Sequence, residues 1–372
     1  MVITACKNCL IPNSKPHIIF KNGVCSACLF HEKKNASKGI NWKSRKEEFD
    51  KLINVIKKKK IDNYHVLVPV SGGKDSITQV SKVINKGLKV LAVNVDYGIK
   101  TEIGKYNLNL IADMGADLMI YKPEQVIHKK LIKNCFSDYG DPDSMSHAML
   151  HAMPIRIAYN LKIPMVFLGE NSAEEYSGAK SNKNISQKWF KNYALNLGLD
   201  TNIISKKYKI DKKKLQNYEL LSNDKLKKVN PVFCSYFFHW SSKRNLEIAK
   251  KYGFKTSSKC NEGTFRNYVG LDEKINRIHQ YLKLLKFGYG RGSDHASEDI
   301  RNKNMTRQYG LKLIKKYDRV NLSNFYINDF IKHINITRKQ FFFVMNKFKN
   351  YKIWNKNKKK LISKIIYENK KK

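Results

Sequence analysis

A short glycine-containing segment at residues 71–76, Ser-Gly-Gly-Lys-Asp-Ser, constrains the fold of this chain more than any other feature. It follows an apolar run at 65–70 and precedes a stretch of helical character at 77–85. A strand, a glycine turn and a helix N-terminus together form an anion site, because backbone N–H groups point outward and the helix dipole adds positive potential. The sequence therefore predicts a phosphate-binding loop, with a chance glycine turn as the simple alternative.

The residue types in this segment suit a bound phosphate group and a metal ion. Glycines let the backbone approach phosphate closely, hydroxyl groups donate hydrogen bonds, a lysine supplies positive charge, and an aspartate is a candidate Mg²⁺ ligand. The spacing differs from Walker A, which has four residues between its first glycine and Gly-Lys-Ser/Thr. We predict nucleotide binding by the whole segment, with Lys74 and Asp75 also catalytic: Ser71, Gly72, Gly73, Lys74, Asp75 and Ser76.

Apolar segments alternate with helical segments from residue 64 to about residue 170. This alternation predicts a parallel, doubly wound α/β sheet with helices on both faces. Ligands bind such sheets beyond the carboxyl ends of the strands, so we expect Asp96, Gly169 and Glu170 at the nucleotide site. Asp96 also suits an ordinary turn. Strands are predicted at 65–70, 89–95, 117–121 and 164–168, and helices at 44–60, 76–86, 101–114, 124–134 and 145–161.

Two cysteine pairs near the N-terminus have the spacing of a zinc site. Each pair is Cys-x-x-Cys, and 15 residues separate the two pairs. This spacing is typical of a structural, four-coordinate zinc ion, while chance redox or core pairs are the alternative. The predicted ligands are Cys6, Cys9, Cys25 and Cys28. The isolated cysteines are expected to be small buried side chains: Cys135, Cys234 and Cys260.

The chain of 372 residues carries a formal net charge of +41. This charge suits nucleic acid, an anionic membrane or a polyanionic substrate, but lysines spread along the chain equally indicate compositional bias and a solvated surface. Residues 300–372 carry 21 Lys and Arg against 3 Asp and Glu, so one hypothesis is a weak contact of this tail with anionic lipid or a phosphorylated carrier. No apolar stretch approaches the about 20 residues that span a bilayer, and no secretory signal is recognised, so we expect a cytoplasmic protein.

A second unusual segment, 287–302, combines three glycines in five positions with mixed charge. This composition argues against a routine helix. Its arginines suit bidentate contacts with phosphate or carboxylate, whereas Asp294 and His295 suit orientation of a hydroxyl group or proton transfer. The alternative is a helix start in which Ser293 or Asp294 is the N-cap.

These segments, in this order, resemble the N-acetyl sugar amidotransferase family of the pyrophosphate-loop (PP-loop) ATP pyrophosphatase superfamily. The order is the two Cys-x-x-Cys pairs, Ser-Gly-Gly-Lys-Asp-Ser, Leu-Gly-Glu-Asn, and Phe-Gly-Tyr-Gly-Arg followed by Asp-His-Ala-Ser-Glu-Asp-Ile-Arg. The resemblance covers about residues 1–320 and does not include the extended basic tail. One departure is Gly292-Ser293, where the family pattern has Ala-Thr, so a small residue and a hydroxyl group are kept.

The resemblance implies a fold of the adenine-nucleotide α-hydrolase (HUP-like) type, with ATP, Mg²⁺ and structural Zn²⁺. It further implies that AMP is placed on the acetamido oxygen of an N-acetylated sugar and is then displaced by ammonia, which gives an acetamidino group. Such reactions serve surface polysaccharides and flagellin glycans, including acetamidino forms of pseudaminic acid. Arg291 and Asp294 are expected to be catalytic, and the residues expected to contact the sugar are Asn171, Tyr289, Arg291, Asp294, His295 and Arg301.

The nitrogen donor is expected to be ammonia or a separate glutaminase, because no Cys-His-Glu glutaminase set is recognised in the sequence. The predicted organisation is a zinc module with a linker at 1–43, a PP-loop domain at 44–230 with an insertion at about 173–230, and a substrate-binding, basic helical region at 231–372.

Two other functions remain open at this stage. A tRNA-modifying PP-loop enzyme, either a thiolase or a lysidine-type ligase, is favoured by the charge and by the zinc module. A thiolase, however, needs reactive cysteines near the loop. The third hypothesis is a catalytically inactive scaffold, against which the intact Lys74, Asp75 and Ser76 argue. Contact with nucleic acid is expected only under the tRNA hypothesis.

Overall fold

Short strands and connecting helices make up the computed structural model, which describes residues 2–36, 39–178, 182–195, 199–355 and 361–367. The first two strands form a small antiparallel hairpin in the N-terminal module, and the other five form one sheet. In chain order the strands are β1 (Phe20–Lys21), β2 (Val24–Cys25), β3 (Val66–Pro69), β4 (Val90–Val95), β5 (Asp117–Tyr121), β6 (Val166–Leu168) and β7 (Pro231–Phe233).

The five-stranded sheet has the order β5-β4-β3-β6-β7, and every neighbouring pair is parallel. Val66 lies opposite Val90, and Val166 lies opposite Pro231. The chain builds outward from β3 through β4 and β5, and it then returns to the other side of β3 with β6. β3 and β6 therefore flank a topological switch point, where ligands bind in sheets of this kind. This sheet confirms the predicted α/β class.

The helices between residues 42 and 160 cover the sheet and agree with the predicted helices to within five residues at their ends. The helix at Ser26–Asn35 lies in the N-terminal module, where none was predicted, and it includes the start of the linker predicted within residues 1–43. The first helices are α1 (Ser26–Asn35), α2 (Trp42–Lys57), α3 (Lys74–Ile84), α4 (Glu102–Asp113), α5 (Gln125–Tyr139) and α6 (Ser144–Asn160). The later helices are α7 (Ser172–Ser177), α8 (Gln187–Trp189), α9 (Thr201–Tyr208), α10 (Asn223–Val229), α11 (Cys234–Phe237), α12 (Ser242–Lys251), α13 (Ile275–Phe287), α14 (Arg291–Arg301), α15 (Arg307–Leu313), α16 (Asn324–Ile334) and α17 (Arg338–Lys347).

Two apolar layers hold these helices against the sheet. β4 is buried along its whole length, as expected for a strand with helices on both faces. On one face Phe49 of α2, Ile77 of α3 and Leu108 of α4 share a cluster of buried side chains. On the other face Leu131 of α5 and Met149 of α6 pack with side chains of the segment 185–229.

The sequence analysis missed β7. The predicted insertion at about 173–230 forms α7 to α10 together with a 3₁₀-helix at Lys212–Tyr218. The chain then returns to the sheet with three consecutive buried residues, Pro231–Phe233. A buried run this short has no alternating pattern, so periodicity does not reveal it. The sheet thus extends past residue 230, where the sequence suggests a domain boundary.

The C-terminal helices pack on α5. Phe136 of α5 lies with its ring centroid 5.1 Å from that of Phe330 and 5.7 Å from that of Phe341. The segment 361–367 returns to the N-terminal module, where the Ala5 N–H donates a hydrogen bond to the Ile366 carbonyl at 2.9 Å. A search of the described helices finds none with the length and apolar character needed to cross a bilayer.

Candidate active site

Residues 71–76 form a tight turn between β3 and α3, at the switch point of the sheet. Gly72 has a φ of +87°, and a Cβ at this position would lie 2.9 Å from the backbone nitrogen of Leu108. The Ser76 hydroxyl accepts a hydrogen bond from the Ser71 N–H at 2.9 Å, and the Ser71 hydroxyl accepts one from the Gly73 N–H at 3.2 Å. α3 begins within this segment, so the positive end of its dipole faces the turn.

This phosphate loop opens into a cavity of about 170 Å³, which we call the loop cavity. Lys74 is 6% exposed, and its Nζ lies 2.6 Å from Oδ2 of Asp75. The other carboxylate oxygen of Asp75 accepts a hydrogen bond from Nδ2 of Asn245 at 2.8 Å. The main lining residues are Ser71, Gly73, Lys74, Asp75, Glu170, Trp240, Ser242, Arg266, Tyr268, Asp272, Arg291, His295 and Glu298.

A second cavity of about 200 Å³, the strand-end cavity, lies beyond the carboxyl ends of β3, β4, β6 and β7. Its wall is mostly apolar and includes Val70, Leu168 and Phe233. Ser71 and Glu170 line both cavities, so the two cavities adjoin at the phosphate loop. An apolar cavity beside an anion-binding loop suits a nucleotide, because the base and the phosphates need these two different surroundings.

Arg266 is a residue of the loop cavity that the sequence analysis missed. Its guanidinium group donates hydrogen bonds to Glu298 at 2.9 Å and to Asp299 at 2.8 Å. Its Nε atom is buried and has no hydrogen-bond partner among the described residues. Arg266 lies in an irregular segment between α12 and α13, which carries no recognisable motif or periodicity. Only the tertiary structure brings this arginine to the phosphate loop.

α14 is a regular helix that begins at Arg291, with Gly290 as its N-cap. The expectation that 287–302 is not a routine helix was therefore wrong, and the alternative of a helix start holds with Gly290, rather than Ser293 or Asp294, as the N-cap. The reason is the carboxylate of Asp318, which accepts hydrogen bonds from the backbone N–H groups at positions 290 and 292, at 2.9 and 3.0 Å. A carboxylate of the chain itself thus fills the anion site at the start of this helix.

Arg291 and His295 of α14 line the loop cavity, as their predicted roles require. Nδ1 of His295 lies 2.7 Å from the hydroxyl oxygen of Thr264. Burial, together with the positive charges of Arg266 and Arg291, lowers the pKa of His295 well below its usual range. The imidazole is therefore neutral at pH 7 and acts as a hydrogen-bonding group rather than as a charge.

Asp294 points away from the loop cavity and forms buried ion pairs. Its two carboxylate oxygens lie 3.1 Å from Nζ of Lys15 and 2.6 Å from Nζ of Lys283. Burial opposes the charge, but the two ammonium groups lower the pKa of Asp294 below its ordinary value. Both ammonium groups also lie over the buried ring of Tyr289, at 5.1 and 4.9 Å from its centroid. Asp294 and Tyr289 therefore tie the N-terminal module to α13 and α14.

The remaining residues predicted at strand ends have different surroundings. Glu170 lines both cavities, and Gly169 lines the strand-end cavity. Asp96 lines neither of these cavities. Asn171 is buried, and its Oδ1 accepts a hydrogen bond from Nε1 of Trp189 at 2.8 Å while it caps α7. Of these four, Glu170 has the position best suited to contact a ligand.

The four N-terminal cysteines form one buried cluster. The sulfur atoms of Cys6 and Cys28 lie 3.9 Å apart, those of Cys9 and Cys25 lie 3.7 Å apart, and all four lie within 4.8 Å of one another. A tetrahedral ion with metal–sulfur bonds of about 2.3 Å needs sulfur separations of about 3.8 Å, so the cluster fits zinc. Within the described ranges, no other group of three His, Cys, Asp or Glu side chains has the spacing to hold an ion.

Arg301 lies beside this cysteine cluster. Burial opposes its charge, but the nearby side chains of Cys9, Cys28 and Cys25 raise the pKa of Arg301 above its ordinary value. A guanidinium group at this position offsets negative charge on the sulfur atoms, as groups behind metal ligands often do.

The isolated cysteines differ in their exposure. Cys135 and Cys234 are buried, as expected. Cys260 is exposed, so the expectation of burial was wrong there. It lies in the irregular segment between α12 and α13, within the exposed stretch 258–260.

The loop cavity fits ATP and Mg²⁺. The N–H groups of the loop and the ammonium group of Lys74 are donors for phosphate oxygens. Mg²⁺ is usually bound by one or two carboxylates together with substrate phosphates and water, and Asp75 offers such a carboxylate at the cavity wall.

Residues 262–366 match the family model described as "LPS biosynthesis protein WbpG-like, C-terminal domain". The matched range includes Arg266, which precedes α13, and Arg291 and His295 of α14, all of which line the loop cavity. The match confirms the resemblance predicted from the sequence, at the level of a glycan-biosynthesis family and for this part of the chain. A search of curated protein sequences finds no match.

Two solved structures are similar to part of the chain. One is an NH3-dependent NAD synthetase from Campylobacter jejuni subsp. jejuni NCTC 11168, with 16% identity over 57% of this chain and 97% of that chain and a TM-score of 0.30. The other is an NMN synthetase from Francisella tularensis, with 13% identity over 56% of this chain and 96% of that chain and a TM-score of 0.28. At these TM-scores the likenesses carry no further argument, and the fold class rests on the sheet itself.

Proposed function

We propose that this chain, whose residues 262–366 match the WbpG-like C-terminal domain of LPS biosynthesis proteins, is an ATP-dependent N-acetyl sugar amidotransferase. The enzyme places AMP on the acetamido oxygen of a nonulosonic acid or a nucleotide sugar. Ammonia-derived nitrogen then replaces that oxygen to give an acetamidino group. The product enters a surface glycan, an LPS or a flagellin glycan, and acetamidino forms of pseudaminic acid are among the candidates.

One observation carries this proposal: the phosphate loop and the matched C-terminal region line the same cavity. Lys74 and Asp75 come from the loop, whereas Arg291 and His295 come from α14. The two parts of the sequence resemblance lie far apart in the chain, yet they meet where a nucleotide phosphate and an acceptor would have to meet. A chance glycine turn gives no reason for that convergence.

ATP is proposed to lie with its base in the strand-end cavity and its phosphates at the loop. Lys74 and the loop N–H groups would bind the β- and γ-phosphates, which leave together as pyrophosphate. Mg²⁺, held by Asp75 and phosphate oxygens, would offset negative charge as the α–β bond breaks. Arg291 is positioned to hold the α-phosphate or the acceptor, and neutral His295 to hydrogen-bond the acceptor.

The chemistry needs two steps because an amide carbonyl is a poor electrophile. The acetamido oxygen attacks the α-phosphorus, an O–P bond forms, and pyrophosphate leaves. Ammonia then adds to the carbon of the adenylated, N-protonated imidate, and the C–O bond to AMP breaks. AMP leaves, one proton of the added nitrogen passes to AMP or to solvent, and an amidinium group remains, so atoms and charge balance.

The proposal also covers the location of the reaction in the cell, the source of the nitrogen and the role of zinc. The reaction is placed in the cytoplasm, where ATP is available. Ammonia would come from solution or from a separate glutaminase. Zinc in the four-cysteine cluster would be structural, because four thiolates leave no open coordination position.

A tRNA-modifying PP-loop enzyme is the second candidate, and the net charge of +41 favours it. The thiolase form has less support, because Cys135 and Cys234 are buried and burial raises the pKa of Cys234 above its ordinary value. A buried, protonated thiol is a weak nucleophile.

The test is pyrophosphate release from ATP with Mg²⁺ and ammonium, measured with diacetamido nonulosonic acids, their CMP forms and bulk tRNA. A sugar product in which NH replaces O, formed together with AMP, is the expected result. ATP cleavage with tRNA alone would instead support the second candidate.

A further inference from the structure

Three cavities lie in a row between the phosphate loop and the surface of the N-terminal module. The first is the loop cavity. The second, which we call the middle cavity, shares Glu170, Trp240 and Glu298 with it. The third, the outer cavity, borders helix α1 of the N-terminal module. Four residues line both the middle and the outer cavity: His31, His239, Arg301 and Asn302.

The middle cavity is much the smallest of the three. Its volume is about 30 Å³, compared with about 170 Å³ for the loop cavity and about 640 Å³ for the outer cavity. A water molecule needs about 10–15 Å³ of such space, so the middle cavity holds one or two molecules of that size. Ammonia is as small as water. A space that holds only one or two molecules of this size is too small for a sugar or a nucleotide to pass through.

The walls of the middle cavity are polar and balanced in charge. Nε2 of His31 lies 3.0 Å from Oδ1 of Asn302, which places two hydrogen-bonding groups at the junction with the outer cavity. The carboxylates of Glu170 and Glu298 face the same space as the cations of Lys34 and Arg301. The middle cavity is therefore locally neutral, although the chain has a net charge of +41. Its hydrogen-bonding walls suit a small polar molecule such as ammonia, which is readily protonated.

We propose that ammonia reaches the adenylated acetamido carbon through the middle cavity, from the outer cavity beside α1. This inference rests on the proposed function, since it assigns a route to the second substrate of that reaction. A glutaminase that delivers ammonia would accordingly discharge it at the outer cavity.

The test fills the constriction without touching the residues assigned to ATP or to the acceptor. In Asn302→Trp a large side chain replaces a small one at the junction, whereas Asn302→Ala removes the contact with His31 and leaves space. We expect Asn302→Trp to lower kcat/KM for ammonium by about tenfold or more. The KM values for ATP and acceptor, and pyrophosphate release in a single turnover without ammonium, should be unchanged. Asn302→Ala should stay close to the wild type in every measurement.

Two more variants serve as controls, one for misfolding of Asn302→Trp and one for nonspecific effects of a new Trp side chain. His31→Trp fills the same junction from α1 and should repeat the ammonium defect if Asn302→Trp does not fold. Glu32→Trp, next to His31 on α1, lines only the wide outer cavity and should leave the ammonium dependence unchanged.

The outcomes separate the route from the reaction. An unchanged ammonium dependence in both folded Trp variants overturns the route and leaves the amidotransferase in place. A raised acceptor KM with normal ammonium kinetics also overturns it, because the passage would then serve the sugar. If the wild type forms no ammonium-dependent product with any sugar, the proposed function fails and the route fails with it.

Discussion

Nζ of Lys74 lies 2.6 Å from Oδ2 of Asp75, within the first turn of α3 and at the wall of the loop cavity. Asn245 binds the other oxygen of the same carboxylate. The positive and negative groups of the phosphate loop are thus paired with each other. We expect bound ATP and Mg²⁺ to divide this pair, with Lys74 turning to a phosphate oxygen and Asp75 to the metal.

Replacing Asp75 with Ala should lower pyrophosphate release by about 100-fold or more, because the metal loses its protein ligand and Lys74 loses its partner. The side chain is 38% exposed, so the melting temperature should change little. Asp113→Ala, at an exposed position near the end of α4, is the matched control and should keep full activity. Wild-type turnover in Asp75→Ala would rule out the assignment of the loop.

Gly72 and Gly73 should respond differently to the same substitution. Gly72→Ala places a Cβ 2.9 Å from the Leu108 backbone nitrogen at a φ of +87°, so we expect the free energy of unfolding to fall by about 1–3 kcal/mol. Gly73 has a φ of −74°, and its Cβ would meet only the Ser71 hydroxyl at 3.3 Å, so Gly73→Ala should be much milder. Urea unfolding of both variants measures the difference. Equal losses of stability would contradict this account of the turn.

The cysteine cluster should bind one zinc ion per chain, measurable by elemental analysis of the purified protein. Cys28→Ser should lower the zinc content and the melting temperature together, since a four-ligand site would lose one thiolate. Cys260→Ser is the control, because this cysteine is exposed and lies outside the cluster. Full stability after complete removal of the metal by a chelator would argue against a structural role.

Asp294→Asn should destabilise the protein by about 3 kcal/mol at pH 7, because Lys15 and Lys283 would keep buried charges without a counterion. The exposed Asp224→Asn is the control. Denaturant unfolding at several pH values gives the comparison. Normal stability of Asp294→Asn would show that the ion pairs contribute little.

The same ion pairs predict a dependence of stability on pH. The pKa of Asp294 is lowered in the folded protein, whereas an unfolded aspartate titrates near about 3.9. The stabilisation is therefore complete above about pH 4 and is lost as the pH falls through the lowered folded value. Wild-type stability should fall more steeply below about pH 4 than that of Asp294→Asn. Parallel curves for the two proteins would contradict this assignment.

Much of the nucleotide half of the site could be predicted from local sequence. The residues 71–76 predict a phosphate-binding loop by their types and order, and continuous apolar runs predict the strands β3, β4 and β6. Glu170 followed from the rule that ligands bind at strand ends. These inferences needed no knowledge of contacts between distant segments.

The acceptor half of the site depends on tertiary contacts, which is why prediction from the sequence was weaker there. Arg266 reaches the cavity from an irregular segment without a motif. Asp294 looked catalytic in the sequence, yet the structure pairs it with Lys15, 279 residues away. The N–H groups at the start of α14 are likewise bound by Asp318, which comes from a later segment that local sequence does not connect with them.

The N-terminal module is held by contacts with segments of the same chain that are synthesised long after it. Lys15 pairs with Asp294, the Leu10 N–H donates to the Ser297 hydroxyl, and Arg307 donates to the Cys9 carbonyl, over separations of 279, 287 and 298 residues. At about 5–20 residues per second, the ribosome needs on the order of 15–60 seconds to make the intervening chain. The N-terminal module is therefore made well before the segments that fix it in place. Its four cysteines leave the ribosome, and are available to an ion, well before α14 with the neighbouring Arg301 has been made.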